Sequence, residues 1–341
     1  MKNFLSEIHF QDTVLTDMAR RYAGGYEPLK QFAEMAARFH HFVFAGMGSS
    51  WFASQSACTA LQRSGVDARA CEANEFIKSQ LSTVNEDTLL IAVSQSGGSK
   101  EVLELCSKYP YPDHIVTVLN DVHTPLGAYG AIHMELFAGP ELTTANKTYT
   151  NTLGVLLYMV RAILAPEKGY DDVCRKIVTA AEEMREYMDD EKMVTALSDF
   201  LYDAPYVCFV GSAHSFCSAC QGQIITEEAG KKYSASYTTA EFLHGPIELI
   251  NENFYVFLFD IDPAFRAECD RVIDSLVDFG GKICVMTNRP MEAQKNMMVI
   301  PCRAEDPAFA PLTEILPMEL AIYEMGTRRN INPGIIVRVK K

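Results

Sequence analysis

The sequence predicts an α/β protein built from two tandem domains, each a doubly wound parallel sheet covered by helices on both faces. Three observations carry this. The chain has 341 residues and is 48% hydrophobic, enough to bury a large core and long enough to favour two domains over one. Apolar runs of strand length alternate with helical segments, which is the pattern of a parallel sheet buried on both sides. Finally, one stretch of sequence recurs. VFAGMGSSWFAS (43–54) returns as CFVGSAHSFCSA (208–219), with Gly46, Ser50 and Trp51 answering to Gly211, Ser215 and Phe216. NEFIK (74–78) answers to AEFLH (240–244), and IVTVLND (115–121) to ICVMTNR (283–289), in the same order and at nearly the same offset.

The elements of the first copy follow in turn. HFVFAG reads as a strand, SSWFASQSACTALQRS as a helix, DTLLIAVS as a strand, GSKEVLELCSKY as a helix and HIVTVLN as a strand. Residues 1–26 are expected to form an amphipathic lead-in helix, 27–190 the first domain and 191–341 the second. The join is expected inside the charged helical stretch between Ala165 and Asp199.

Bulk properties narrow the function. A net charge of −14 argues against a broad nucleic-acid or anionic-membrane surface, since such partners need a positive footprint. The N-terminus has no uninterrupted apolar h-region, so no signal peptide is read and a cytoplasmic location is expected. Phe42 to Gln62 is uncharged but carries serines, glutamines and glycines, and the apolar Thr152 to Leu164 is interrupted by Arg161; neither reads as a membrane span. The ten cysteines lie mostly inside apolar runs and read as small core residues in a reducing compartment. Cys217 and Cys220 form a CxxC, but without a second CxxC or CxxH the packed helix face is the reading adopted.

The loop SQSGGSKEV (94–102) follows an apolar strand and opens a helix, where ligands of open α/β sheets sit. Hydroxyls of Ser94, Ser96 and Ser99, with backbone amides at the helix start, match the acceptor oxygens and charge of a phosphate. Gly97 and Gly98 let the backbone approach closely. The second copy places Asp260 and Asp262 at the positions of Ser94 and Ser96, where carboxylates would repel a phosphate, so one phosphate site per chain is expected. GMGSSW lacks the third glycine of a dinucleotide fingerprint and no GxxxxGK[ST] is present, so a small phosphorylated metabolite is favoured over a nucleotide.

In the second copy, SFCSACQGQIITEEAGKKY reads as a helix. Its periodicity puts Glu228 in line with Cys217, Cys220 and Ile224, while Glu227 is expected to pair with Lys231 in solvent. A carboxylate on the apolar face has a raised pKa and is poised for proton transfer near neutral pH. Sixteen residues on, His244 precedes Gly-Pro, a break that presents its imidazole from a rigid turn.

Three segments, SQSGGSKEV, EEAGKKYSASYTTAEFLHGP and TTANKTYTNTL (143–153), carry a resemblance that runs over almost the whole chain. The sequence resembles double sugar isomerase (SIS) domain proteins of flavodoxin-like fold, and is similar to the isomerase half of glucosamine-6-phosphate synthase and to the 6-phosphofructosamine deglycases. The resemblance implies that Ser94, Gln95, Ser96 and Ser99, with Ser50 from the first turn, bind a sugar phosphate. It implies further substrate contacts from Asn146, Lys147 and Arg338. Glu228 matches the base that moves a proton between C1 and C2, and His244 the histidine that helps open the sugar ring, often from the neighbouring subunit of a dimer. A homodimer or larger homo-oligomer, with no metal and no organic cofactor, is therefore expected.

The departures shape the expected reaction. No glutaminase half is read, since Met1-Lys2-Asn3 offers no N-terminal nucleophilic cysteine, and Ile225 stands where the synthase has a Schiff-base lysine. The tail NPGIIVRVKK keeps a basic end, in Arg338 and Lys340, but differs in pattern. The expectation is a deglycase that cleaves a 6-phosphofructosamine to aldose phosphate and amine. A plain aldose/ketose or aminosugar phosphate isomerase is the alternative, and a non-catalytic phosphosugar sensor the alternative of another class.

Overall fold

A computed structural model describes residues 3–338. Two compact units divide the chain: an N-terminal unit of Gln11–Glu141 and Lys147–Thr179, and a C-terminal unit of the segment ending at Phe10, Leu142–Asn146 and the residues from Ala180 on. The division falls at 179/180, within the charged helical stretch but ahead of the boundary at 190 read from sequence. The lead-in is two helices instead of one, α1 (Phe4–Ile8) and α2 (Gln11–Ala23), and they belong to different units.

The N-terminal unit continues with α3 (Glu27–Ala36), β1 (His41–Gly46), α4 (Ser49–Arg63), β2 (Asp67–Glu72), the short α5 (Ala73–Glu75), β3 (Thr88–Val93), α6 (Lys100–Lys108), β4 (Ile115–Leu119), β5 (Ile132–Glu135), α7 (Lys147–Leu164) and the start of α8 (Asp171–Asp189). Its five strands are all parallel and ordered β2-β1-β3-β4-β5. Central β3 is buried at every residue, while edge strand β2 is only partly covered, which is why TLLIAV is continuously apolar and DARACE is not. On one face Val43, Leu90 and Ala92 pack with Val102 and Leu105 of α6 and with Phe76. The alternate residues Phe44, Leu89 and Ile91 are equally buried on the other.

The C-terminal unit holds α9 (Glu191–Asp203), β6 (Tyr206–Val210), α10 (Phe216–Glu228), β7 (Tyr233–Tyr237), α11 (Thr239–Leu243), β8 (Tyr255–Asp260), α12 (Arg266–Asp278), β9 (Lys282–Thr287), β10 (Met297–Pro301), α13 (Pro311–Glu314) and α14 (Leu316–Arg328). Its parallel sheet is ordered β10-β9-β8-β6-β7, which is the same order in local numbering as the first. The three sequence matches fall on elements in equivalent places. The Gly46 and Gly211 turns each follow the strand second in line, and Phe76 and Phe242, from NEFIK and AEFLH, each lie fully buried in their unit's core after the edge strand. Full burial of such a ring contributes roughly 1.5–3 kcal/mol, so the matched phenylalanines are anchors of their cores.

Register levels the strand ends. Gly46 pairs with Val93 and Val93 with Val118, so the turn after β1 and the loop after β3 leave the sheet at one end. In the second sheet Val210 pairs with Leu258 and Asp260 with Thr287, which sets Asp260 at the place of Ser94.

Candidate active site

The loop after β3 is closed by its own hydrogen bonds. Ser94 N–H donates to Val118 O at 3.0 Å, extending the ladder one residue, and Asn120 N–H donates to Gln95 O at 3.2 Å. Ser94 Oγ donates to Ser99 Oγ at 3.1 Å, drawing the two ends of the loop together. Gly97 has a φ of +60°, and a Cβ there would lie 1.9 Å from Thr124 Oγ1, so only glycine fits. Ser99 caps α6 in extended conformation without spending its side chain on the helix, leaving the first-turn amides of α6 without a side-chain cap. Ser94 is buried, Gln95 and Ser99 are half-buried and Ser96 is exposed. Ser50, in the first turn of α4, is held against the same strand end: a Cβ on Gly46 would meet Ser50 Cβ and Val93 O, both at 2.9 Å. Ser50 and the 94–99 loop thus come to one end of one sheet, with hydroxyls and amide donors and no carboxylate among them.

The equivalent place in the C-terminal unit is filled by the protein itself. Asp260 accepts from Arg289 Nε at 2.7 Å and from Thr287 Oγ1 at 3.1 Å. Asp262 Oδ1 accepts from Ala264 N–H at 3.1 Å. Ser215, the counterpart of Ser50 and the N-cap of α10, donates to Glu314 Oε1 at 2.6 Å. A buried carboxylate therefore sits at the start of α10, whereas among the described residues no side chain caps α4.

Glu228 is the last residue of α10 and is half-buried. Burial pushes its carboxyl above the ordinary carboxylate value and neighbouring Glu227 adds to this; Lys231 and a hydrogen bond with the Thr144 side chain oppose it. The negative end of the helix acts in the same direction as burial. α10 ends earlier than the sequence suggests, because Lys231 turns into the left-handed region with φ +51° and Tyr233 begins β7. The expected Glu227–Lys231 pair is consequently absent. Glu227 accepts from Gln223 Nε2 at 3.2 Å, and the Lys231 ammonium donates instead to the carbonyls of Glu228 and of Ile335, the latter at 2.9 Å. The apolar face also shifts by one position, since Ile225 is fully buried and Ile224 only partly.

His244 is the exposed C-cap of α11, a helix whose start is fixed by a capping box between Thr238 and Glu241. It lies in the same unit as Glu228, and no hydrogen bond joins the two among the described residues. Lys147 departs from the substrate contact read from sequence: it is buried, with its ammonium on the carbonyls of Ala138 at 2.9 Å and Pro140 at 2.6 Å. Asn146 is buried too, and its amide donates to Thr144 O at 2.9 Å and Thr143 Oγ1 at 3.3 Å. Both residues fix their own segments instead of presenting polar heads to solvent. Arg338 is exposed at the end of the described chain, and Lys340 lies outside the described residues.

Sequence reasoning missed Thr144, Glu7 and Glu314. Thr144 N–H and Oγ1 both donate to Gly334 O, at 2.9 and 3.2 Å, which sets the tail beside Glu228. Buried Glu7 accepts from Leu142 N–H at 2.8 Å and from the Thr143 hydroxyl. Thr144 stood inside a quoted segment, whereas Glu7 sits in a helix with no chemical motif. Among the described residues no three His, Cys, Asp or Glu side chains are placed to hold a metal ion, and no helix is long and apolar enough to cross a membrane. Cys217 and Cys220 are both buried, as a packed helix face requires.

Residues 37–164 match the SIS domain family. The matched SIS segment contains both the Ser50 turn and the 94–99 loop. Over 96% of its length the chain is 24% identical to a glutamine-fructose-6-phosphate aminotransferase (isomerizing) from Thermococcus kodakarensis, covering 56% of that protein. The chain spans about half the length of the curated relatives it matches. Two solved structures share its fold over nearly all of both chains. The C-terminal domain of glucosamine-fructose-6-phosphate aminotransferase from Francisella tularensis superposes with a TM-score of 0.83 at 19% identity, covering 98% of this chain and 99% of that one. Tagatose-6-phosphate ketose/aldose isomerase from Escherichia coli gives a TM-score of 0.80 at 15% identity, covering 99% and 97%. The SIS match stops before β6, so the second sheet is related to known proteins through these whole-chain likenesses.

Proposed function

We propose that the chain is a phosphosugar isomerase of the deglycase type, acting at C1 and C2 of a 6-phosphofructosamine and releasing aldose 6-phosphate and amine. The observation that carries this is Glu228, a half-buried carboxyl whose pKa burial raises, at the end of α10, in a chain that also holds a carboxylate-free hydroxyl and amide loop suited to a phosphate. The names of the similar proteins, an isomerizing aminotransferase and a ketose/aldose isomerase, both describe C1/C2 chemistry on sugar phosphates.

In the proposed reaction the phosphate is taken by Ser50, Ser94, Ser96, Ser99 and the amides around them. Glu228, ionised, removes a proton from C1 of the ketosamine to give an enaminol. Return of a proton to C2 converts it to the C1 imine, to which water adds; the C1–N bond then breaks, with the proton going to the leaving amine. No net oxidation occurs and no cofactor is consumed. The proposal assigns ring opening to His244, whose imidazole is exposed. Fully buried Ile225 offers no amine for a ketose Schiff base, which favours hydrolysis of an adduct over synthesis of an aminosugar.

The test is to incubate the protein with 6-phosphofructosamine adducts of several amino acids and, separately, with fructose 6-phosphate and ammonia. Equal amounts of aldose phosphate and free amine from at least one adduct are expected. If every adduct is inert while a simple sugar phosphate isomerises, the deglycase reading fails and aldose/ketose isomerisation stands.

A further inference from the structure

We infer that Lys231 is a positioning residue for Glu228, fixing the end of α10 by bridging the carbonyl of Glu228 itself to the carbonyl of Ile335. This rests on the proposed role of Glu228 as the base. The bridge follows from an unusual backbone. A lysine continuing the helix would point along its surface toward Glu227; at φ +51° the chain instead folds back, and the side chain returns over the helix terminus. Non-glycine residues rarely enter this region, so the conformation persists only because surrounding contacts hold it. Here those contacts are the two carbonyls, one of them among the unpaired carbonyls at the helix end, where a cation is favoured.

The tail that Lys231 grips is itself fixed. Gly334, at φ +80°, accepts twice from Thr144, and a Cβ there would lie 2.7 Å from Phe4 Cβ, so the chain passes where only glycine fits. The Thr144 side chain also favours the ionised form of the Glu228 carboxyl. Thr144, and through Lys231 the backbone of Glu228, are thus both tied to residues 334–335. The charged groups acting on Glu228 are Lys231 and Glu227; Thr144 contributes a neutral dipole, and the tail contributes carbonyls. Lys231 thus sets the carboxyl's place and, being cationic, favours its ionised form.

The experiment compares Lys231→Met and Lys231→Arg with the wild type in the full chain. For Lys231→Met, kcat on the adduct is expected to fall about tenfold with KM little changed, as for a displaced catalytic group. The acid limb of the kcat/KM profile should move up by roughly half a pH unit, the modest size befitting an exposed ammonium. Lys231→Arg, still cationic and long enough to reach both carbonyls, should restore the limb and most of kcat. A parallel titration of the ¹³C-labelled Glu228 carboxyl, assigned by its loss in Glu228→Gln, reads the same shift without turnover. If Lys231→Met loses only thermal stability, with limb and carboxyl titration where the wild type has them, Lys231 is structural and the inference is overturned. If instead Glu228→Gln keeps its turnover, the assignment of the base fails, while the titration still reports on Lys231.

Discussion

Glu228→Gln is expected to lower kcat on the phosphosugar adduct by a factor of about 10² to 10⁴, the usual worth of a general base, while leaving phosphosugar binding intact. The substitution keeps the volume of the side chain, so the end of α10 is preserved and only the proton acceptor is lost. In the wild type, kcat/KM should fall as pH drops through the raised pKa of this carboxyl. The acid limb is therefore expected above the ordinary carboxylate value of 4.5. Isothermal titration with the product sugar phosphate separates binding from turnover. Loss of binding together with activity would show that Glu228 holds the substrate or the fold instead of moving a proton.

Glu314→Gln is expected to stabilise the protein at alkaline pH by up to about 3 kcal/mol and to leave it little changed near pH 5. Glu314 has no exposure to solvent, and among the described residues no cation pairs with it. The Ser215 hydroxyl donates to Oε1 and the Ser218 side chain also favours the charged form, while Oε2 has no partner among the described residues and nearby Glu183 adds negative charge. Burial pushes the pKa from 4.5 up to about 7. Because the folded state holds this proton more tightly than the unfolded chain, the group's destabilising effect grows as pH rises from about 4.5 to 7 and is complete above that. A glutamine is neutral throughout and removes that slope. Unfolding midpoints of both proteins at pH 5, 6, 7 and 8 check this, and parallel curves for the two would refute it.

Much of the fold was legible because the central strands are apolar runs with turns at known places. β1, β3 and β4 lie within a residue of where HFVFAG, DTLLIAVS and HIVTVLN put them. The loop's place was legible as well, since serines and glycines after an apolar run mark the end of a strand and the turn into the next helix. What escaped was set by local backbone and tertiary contacts. α10 was read through to Tyr233 because GKKY contains no proline, and nothing in it announces that Lys231 turns left-handed. The lead-in helix was read as continuous across His9 and Phe10, where neither glycine nor proline marks the break. Lys147 was read as a substrate contact, yet two carbonyls of its own unit claim its ammonium. Glu314 carried no motif at all: a carboxylate in a run such as PLTEILP becomes notable only when the fold buries it at the start of α10.

The central claim, a proton moved between C1 and C2 by Glu228, is tested most directly by turning over an adduct deuterated at both C1 positions in ordinary water and reading C2 of the aldose phosphate by NMR. The account predicts that deuterium removed from C1 is wholly or partly exchanged with solvent on the carboxyl, so that C2 carries hydrogen in a substantial fraction of the product. Complete retention of deuterium at C2, the outcome of a direct hydride shift that needs no base, would contradict it.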